Sequence, residues 1–219
     1  MPNLIDICSG KWGWSQVFSE RGWKCYGIEL VDPGFIPEGC VWLKRDLLSI
    51  ESLAQLAEEL GIGKFDFGVA STPCENFSIF QLKNFHPNPP HPELGIKLFR
   101  KAEQLFVDAR LPFVMENVRA AQQFLGDAVH HCGPFYLWGN AVPLLMPQGI
   151  KKGIAIGNGS KVKNMTTEEK RRYRKQFDAM QCGGKSKQRK QFTSEWATIP
   201  DYLANCVADY AGSFVCQSK

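Results

Sequence analysis

The sequence predicts an α/β fold, a doubly wound and mainly parallel sheet, on three observations. Short apolar runs alternate with helical stretches through the first half of the chain, as in strands joined by crossover helices. The first run opens straight into a turn holding two glycines, Ser9-Gly10-Lys11-Trp12-Gly13. Two later runs end in loops whose residues carry chemistry: Thr72-Pro73-Cys74-Glu75-Asn76-Phe77-Ser78 after one, and Glu116-Asn117-Val118-Arg119 closing the other. In such folds ligands gather at the carboxyl ends of the strands.

The elements follow in order. Strands are expected at residues 4–8, 25–30, 41–43, 65–70 and 113–116, each a short apolar run. Helices are expected at 14–21, 50–60 and 92–109; in the second, Leu53, Leu56, Ala57 and Leu60 fall on one face. Ser49 is the expected N-cap of that helix and Gly61 its terminator. Residues 84–92 are too proline-rich for regular structure and read as a lid or a rigid spacer. Residues 133–145 read as one or two further strands. A capping box at Thr166 and Glu169 starts a basic helix, and residues 183–187 form a Gly/Lys linker. A last helix at about 200–211 carries Leu203, Val207 and Tyr210 at helical spacing.

Composition narrows the function. The 219 residues, 44% of them hydrophobic, suit one packed domain with a small appendage. No apolar run reaches the roughly 18–20 residues of a membrane span, and the amino terminus has no signal-peptide pattern, so a cytoplasmic protein is expected. The eight cysteines show no Cys-x-x-Cys pair or zinc spacing, so neither metal nor disulfide framework is expected. The net charge of +4 is uneven. Residues 146–190 hold 13 of the 26 Lys/Arg against only Glu168, Glu169 and Asp178, which points to a polyanion partner or to a solvated basic face.

The chemistry-bearing residues form a pattern. Pro73 fixes the backbone before Cys74 and removes a ladder donor, so the thiol lies just past a strand end. A thiolate and the Glu116 carboxyl on neighbouring strand ends can attack one atom of a heteroaromatic ring while protonating another, which suits a pyrimidine base. The turn after the first strand lets backbone amides approach a nucleotide-like ligand. Glu29 ends the second strand, where an acid holds ribose hydroxyls, and Asp46 follows the third, where it can accept from an adenine amino group.

In order as well as content, the sequence resembles the cytosine-C5 DNA methyltransferase family, and its compact phage and prophage members in particular. Residues 6–15 resemble the cofactor loop, 27–30 the ribose-binding segment, Arg45-Asp46 the adenine-contacting segment, 72–78 the Pro-Cys-x-x-Phe-Ser nucleophile loop, and Glu116-Asn117-Val118 the catalytic Glu-Asn-Val. The resemblance implies a Rossmann-like class I methyltransferase core that uses S-adenosyl-L-methionine. It implies catalytic roles at Cys74, Glu116, Asn117 and Arg119, with Asn117 shaping the loop. Cofactor contacts are implied at Asp6, Ser9, Gly10, Gly13, Trp14, Ser15, Glu29, Leu30, Asp46, Leu47 and Pro73. The substrate implied is a cytosine flipped from double-stranded DNA. Ser78, Lys161, Lys163, Arg171, Arg172, Arg174, Lys187 and Arg189 are the expected nucleic-acid contacts.

The expected organisation is a catalytic core at 1–145, a short basic recognition segment at 146–196 and a helix at 197–219 packing back on the core, in a monomer. A segment so short implies a short target context. Three departures from the family pattern stand out. Trp12 replaces a glycine of the cofactor loop, and Thr72 replaces the first proline of Pro-Pro-Cys. No arginine lies between Arg119 and Arg171 to match the family's Gln-x-Arg-x-Arg segment, leaving His130, His131 or Tyr136 to take its place. Two rivals remain: a tRNA cytosine-C5 methyltransferase, and a nucleic-acid-binding homologue that has lost turnover.

Overall fold

Strands β1 (Asn3–Ile7), β2 (Lys24–Ile28), β3 (Cys40–Leu43), β4 (Phe67–Ser71), β5 (Phe113–Asn117), β6 (His130–Cys132) and β7 (Phe135–Trp138) form one sheet in the order β3-β2-β1-β4-β5-β7-β6. The computed structural model describes residues 1–77, 92–145 and 198–216. Pairs β1–β2, β1–β4, β2–β3 and β4–β5 are parallel, and β7 is antiparallel to both β5 and β6. This is the Rossmann-like, doubly wound α/β arrangement predicted from the sequence, closed at one edge by an antiparallel hairpin. The chain order reverses between β1 and β4, which opens a crevice at their carboxyl ends.

Side chains alternate between two apolar layers, as strand geometry requires. Ile5, Ile7, Ala70, Phe113 and Met115 meet α2 (Leu53–Glu59), α3 (Pro92–Asp108) and the short α4 (Gln122–Leu125) on one face. Leu4, Phe67, Val69 and Val114 meet α1 (Ser15–Glu20) and α5 (Asp201–Cys216) on the other. Leu203, Ala204, Val207, Ala208 and Ala211 give α5 a flat face of mostly small residues, and an Arg21–Asp209 ion pair at 3.0 Å ties it to α1.

Some expectations shift. Helix α2 is capped by Ser52, whose hydroxyl accepts from the Gln55 amide at 3.1 Å, not by Ser49. Ser49 instead ends a 3-10 turn, Leu47–Ser49, that Asp46 caps by accepting from the Leu48 amide. Gly61 ends α2 at φ +66°, the left-handed value that favours glycine. Segment 133–145 contributes only β7, while β6 precedes it. Tyr210 of α5 is exposed, not part of the buried stripe. The basic helix and linker, the proline-rich residues 84–91 and every expected contact from Ser78 to Arg189 lie outside the described residues.

Candidate active site at the carboxyl edge of the sheet

Two loops leave the crevice between β1 and β4. The first takes left-handed backbone at three consecutive alternate positions, Cys8 (φ +59°), Gly10 (φ +49°) and Trp12 (φ +65°). It is pinned along its length. The Ser9 amide donates to Ile28 O at 3.2 Å, the Gly10 amide to Glu29 Oε2 at 3.2 Å and the Trp12 amide to Ser9 O at 2.8 Å. Gly13 lies so close to Ile199 that an added Cβ would fall 2.9 Å from its backbone nitrogen. Trp14 Nε1 donates to Ser71 Oγ at 3.0 Å, joining this loop to the end of β4.

Beneath the loop, Asp6 is fully buried and Ser15 Oγ donates to its Oδ2 at 2.6 Å. Burial pushes the Asp6 carboxyl up to about 7; the Ser15 hydrogen bonds partly offset this and the nearby Glu29 adds to it. Asp6 Oδ1 and Ser9 Oγ are buried with no hydrogen-bond partner among the described residues. Such orphans are uncommon in native proteins and fit a polar ligand lying against the loop. Burial, with Glu29 and Asp6 close by, pushes the Cys8 thiol up to about 12, so Cys8 stays protonated at neutral pH.

The expected ribose and adenine acids are placed differently from one another. Glu29 follows β2 and is already engaged: Oε1 accepts from the Leu30 amide at 2.9 Å and the Val31 amide at 3.4 Å. A carboxylate has about four acceptor sites, so capacity for a hydroxyl donor remains. Asp46 is exposed and serves as the cap of its 3-10 turn. Leu30 is exposed, whereas Leu47 is packed in the core with Ile50 and Leu53.

The second loop follows β4. Pro73 is exposed, and Cys74 opens a 3-10 turn, Cys74–Phe77, with its residue half-buried. The β4–β5 register sets Ser71 beside Glu116, so Cys74 comes three residues beyond Glu116's strand neighbour. Asn117 is fully buried, and its Nδ2 donates to both Thr72 O at 3.0 Å and Thr72 Oγ1 at 3.1 Å, while its Oδ1 accepts from the Val118 amide at 2.8 Å. Asn117 therefore ties the cysteine loop to the strand bearing Glu116. Both acceptors belong to Thr72, and its hydroxyl is the one that a proline at this position would lack. Arg119 is exposed at the start of the 3-10 turn Arg119–Ala121. His131 and Tyr136 stack at 5.0 Å on the β6–β7 hairpin, and Tyr136 pairs with Asn117 in register.

Two residues matter that sequence reasoning did not single out. Gly95 lets α3 close on the cysteine turn, since a Cβ there would sit 2.8 Å from Phe77 and 2.9 Å from Asn76. Gly27 lets the Trp12 indole lie on β2, since its Cβ would fall 2.3 Å from Cζ3 of that ring. A glycine interrupting a helical or strand run is the available signal for both.

No family model and no curated protein matches the sequence. Solved structures similar to the chain include methyltransferases. One is an E. coli prophage protein described as a DNA modification methyltransferase, 16% identical with a TM-score of 0.45, the match covering 57% of this chain and 34% of that one. Another is a DNMT2 variant from Spodoptera frugiperda, 15% identical with a TM-score of 0.34, covering 56% and 37%. A third, the bifunctional kinase-methyltransferase WbdD, is 11% identical with a TM-score of 0.37, covering 81% and 50%. The chain thus spans between a third and a half of the length of these structures. At such identity and overlap the likenesses carry no argument about the reaction, which has to come from the site's own residues. Among the described residues no helix is long and apolar enough to cross a membrane, and no group of three or more His, Cys, Asp or Glu could hold a metal ion.

Proposed function

We propose that the chain is a DNA cytosine-C5 methyltransferase that uses S-adenosyl-L-methionine. The observation that carries this reading is the β4–β5 pairing, with Glu116 beside Ser71, Cys74 on the turn just beyond, and Asn117 clamping Thr72 between them. The first loop fits the cofactor: Ser9 and Gly10, with Glu29 and Leu30, would hold it, over a base built from Asp6, Gly13, Trp14 and Ser15. Asp46 and Pro73 are exposed at the same edge of the sheet and would complete the pocket. Bound there, S-adenosyl-L-methionine supplies an electrophilic methyl group.

The remaining chemistry belongs to the chain's own side chains. The Cys74 thiolate adds to carbon 6 of the cytosine, and the electron pair of the 5,6 double bond moves to carbon 5, in conjugation with N3 and the exocyclic amine. Glu116 holds N3 and the exocyclic amine, relieving the charge that develops. Carbon 5 thereby becomes nucleophilic enough to accept a methyl group. A solvent base then takes the carbon 5 proton, and the pair left behind re-forms the 5,6 double bond as the bond from sulfur to carbon 6 breaks. Asn117 fixes the spacing of the two reacting side chains, and Arg119 holds the flipped nucleotide. In this reading residues 1–145 form the core, 146–196 grip phosphates and 197–219 pack back on the core.

Base-resolution methylation sequencing of host DNA, after expression of the wild type and of Cys74→Ala, tests the proposal. Methylation at cytosines in a shared short context, absent with Cys74→Ala, is the expected result. Methylated tRNA with unmethylated DNA would move the assignment to an RNA substrate. Methylation that survives in Cys74→Ala would remove the nucleophile from its role.

A further inference from the structure

The side chain that replaces a glycine in the first loop has a task of its own. Trp12 holds backbone at φ +65°, a conformation costly for a bulky residue, and yet its side chain is only 1% exposed. A residue persists in such a region when its surroundings over-determine it. Here they do. The Trp12 amide donates to Ser9 O, its carbonyl accepts from the Gln16 amide at 2.9 Å, and its ring rests on Gly27 of β2. The one polar atom of the indole, Nε1, donates to Phe35 O at 2.8 Å.

That last bond reaches into the segment joining β2 to β3. The segment exposes four large apolar side chains in seven residues: Leu30 (55%), Val31 (71%), Phe35 (68%) and Ile36 (45%). It is nevertheless tied at both ends. Glu29 accepts from the amides of Leu30 and Val31 at one end, and Trp12 holds Phe35 at the other, with a turn at Asp32–Gly34 closed by a 2.7 Å bond between. Water-exposed apolar residues held in fixed backbone are a preformed wall rather than a loose loop. The wall is continuous with Glu29, which keeps spare acceptor capacity at the carboxyl end of β2. An acid for hydroxyls next to exposed apolar side chains matches a ribose with its attached base.

We infer that Trp12 is a positioning residue, which through the Phe35 carbonyl holds the 30–36 segment as an apolar wall for the purine of the nucleoside cofactor. The inference rests on the proposed use of an adenosyl cofactor. It makes Phe35 a further ligand contact, and it gives the Trp12 departure a purpose: the indole supplies a pin that a glycine lacks.

Isothermal titration of the full chain with S-adenosylhomocysteine tests it. Trp12→Phe keeps an aromatic ring but removes the donor, and should weaken binding about threefold to tenfold, the worth of one hydrogen bond. In turnover the cofactor KM should rise while kcat at saturation stays within about twofold, because the interaction is the same in ground and transition states. Phe35→Ala changes a surface side chain, leaves folding intact and should weaken the same affinity, while duplex DNA affinity stays put. Wild-type affinity in both variants overturns the wall and leaves the proposed function standing. A wild type that does not bind S-adenosylhomocysteine overturns both. Equal losses for cofactor and DNA would reduce Trp12 to a general packing role and also overturn the inference.

Discussion

Between Cys8 and Ser15 the loop after β1 is tied mainly to β2, α1 and the residues leading into α5; between Thr72 and Phe77 the loop after β4 is tied to β5 and α3. The first is held by packing, with Trp12 on Gly27 and Gly13 on Ile199, and by the Ser9 and Gly10 amides donating to Ile28 O and Glu29 Oε2. The second is held at its base by a two-acceptor hydrogen bond from Asn117 and at its end by Phe77, buried against Gly95 and 5.9 Å from the Phe124 ring. The anchor of the cysteine loop thus sits one residue after Glu116, so the strand carrying Glu116 also positions Cys74. The first loop should fail most readily by overpacking, and the second by loss of the Asn117 contact.

The comparison breaks most visibly at Gly27. Gly27→Val would set its Cβ 2.3 Å from the Trp12 ring and 2.7 Å from Ser9 Oγ, and overpacking of that kind costs about 1–3 kcal/mol or more. Thermal unfolding should show a clear loss of Tm, and S-adenosylhomocysteine affinity should fall with it. At Asn117 the expected loss is about 1–3 kcal/mol, since Asn117→Ala leaves the Thr72 acceptors buried without their donor. There kcat should fall while cofactor affinity holds, which a kcat-against-KM split reads directly.

A third effect is electrostatic. Burial raises the Asp6 carboxyl from 3.8 to about 7, so between those values the folded chain binds a proton that the unfolded chain has released. Asp6 therefore lowers stability as pH rises through this window, by no more than about 1.4 kcal/mol per pH unit, the limit for one proton. Asp6→Asn still accepts from Ser15 and should flatten that part of the stability profile, measured by denaturant unfolding from pH 4 to 8.

Much of this was legible in the sequence, and the gaps have physical causes. All five parallel strands lie within a residue or two of their expected positions, because buried strands in such sheets read as apolar runs. β4 starts later than expected because Asp66 is spent as a side-chain acceptor for the Asn3 amide at 2.8 Å. The hairpin was obscured because β6 is an edge strand of two histidines and a cysteine, with no apolar alternation to mark it. The cap of α2 moved from Ser49 to Ser52 because the Asp46-capped turn takes up the intervening chain, a choice between two serines that local propensity does not make. At the site, the placement of Cys74 just past β4 and of Glu116 on the neighbouring strand, and the loop-shaping contacts of Asn117, were legible from residue type and order. The packing reasons for Gly27 and Gly95, the left-handed Trp12 and the raised Asp6 carboxyl all depend on neighbours distant in sequence.

The most direct test of the central claim is covalent trapping. Duplex DNA carrying 5-fluorocytosine, incubated with the chain and S-adenosyl-L-methionine, presents a carbon 5 whose fluorine cannot leave as a proton does, so an adduct at carbon 6 persists. The account predicts a complex that survives denaturing electrophoresis, yields a Cys74 peptide bearing the modified base and disappears in Cys74→Ala. A methylating chain that forms no such complex, or forms it equally in Cys74→Ala, would contradict it.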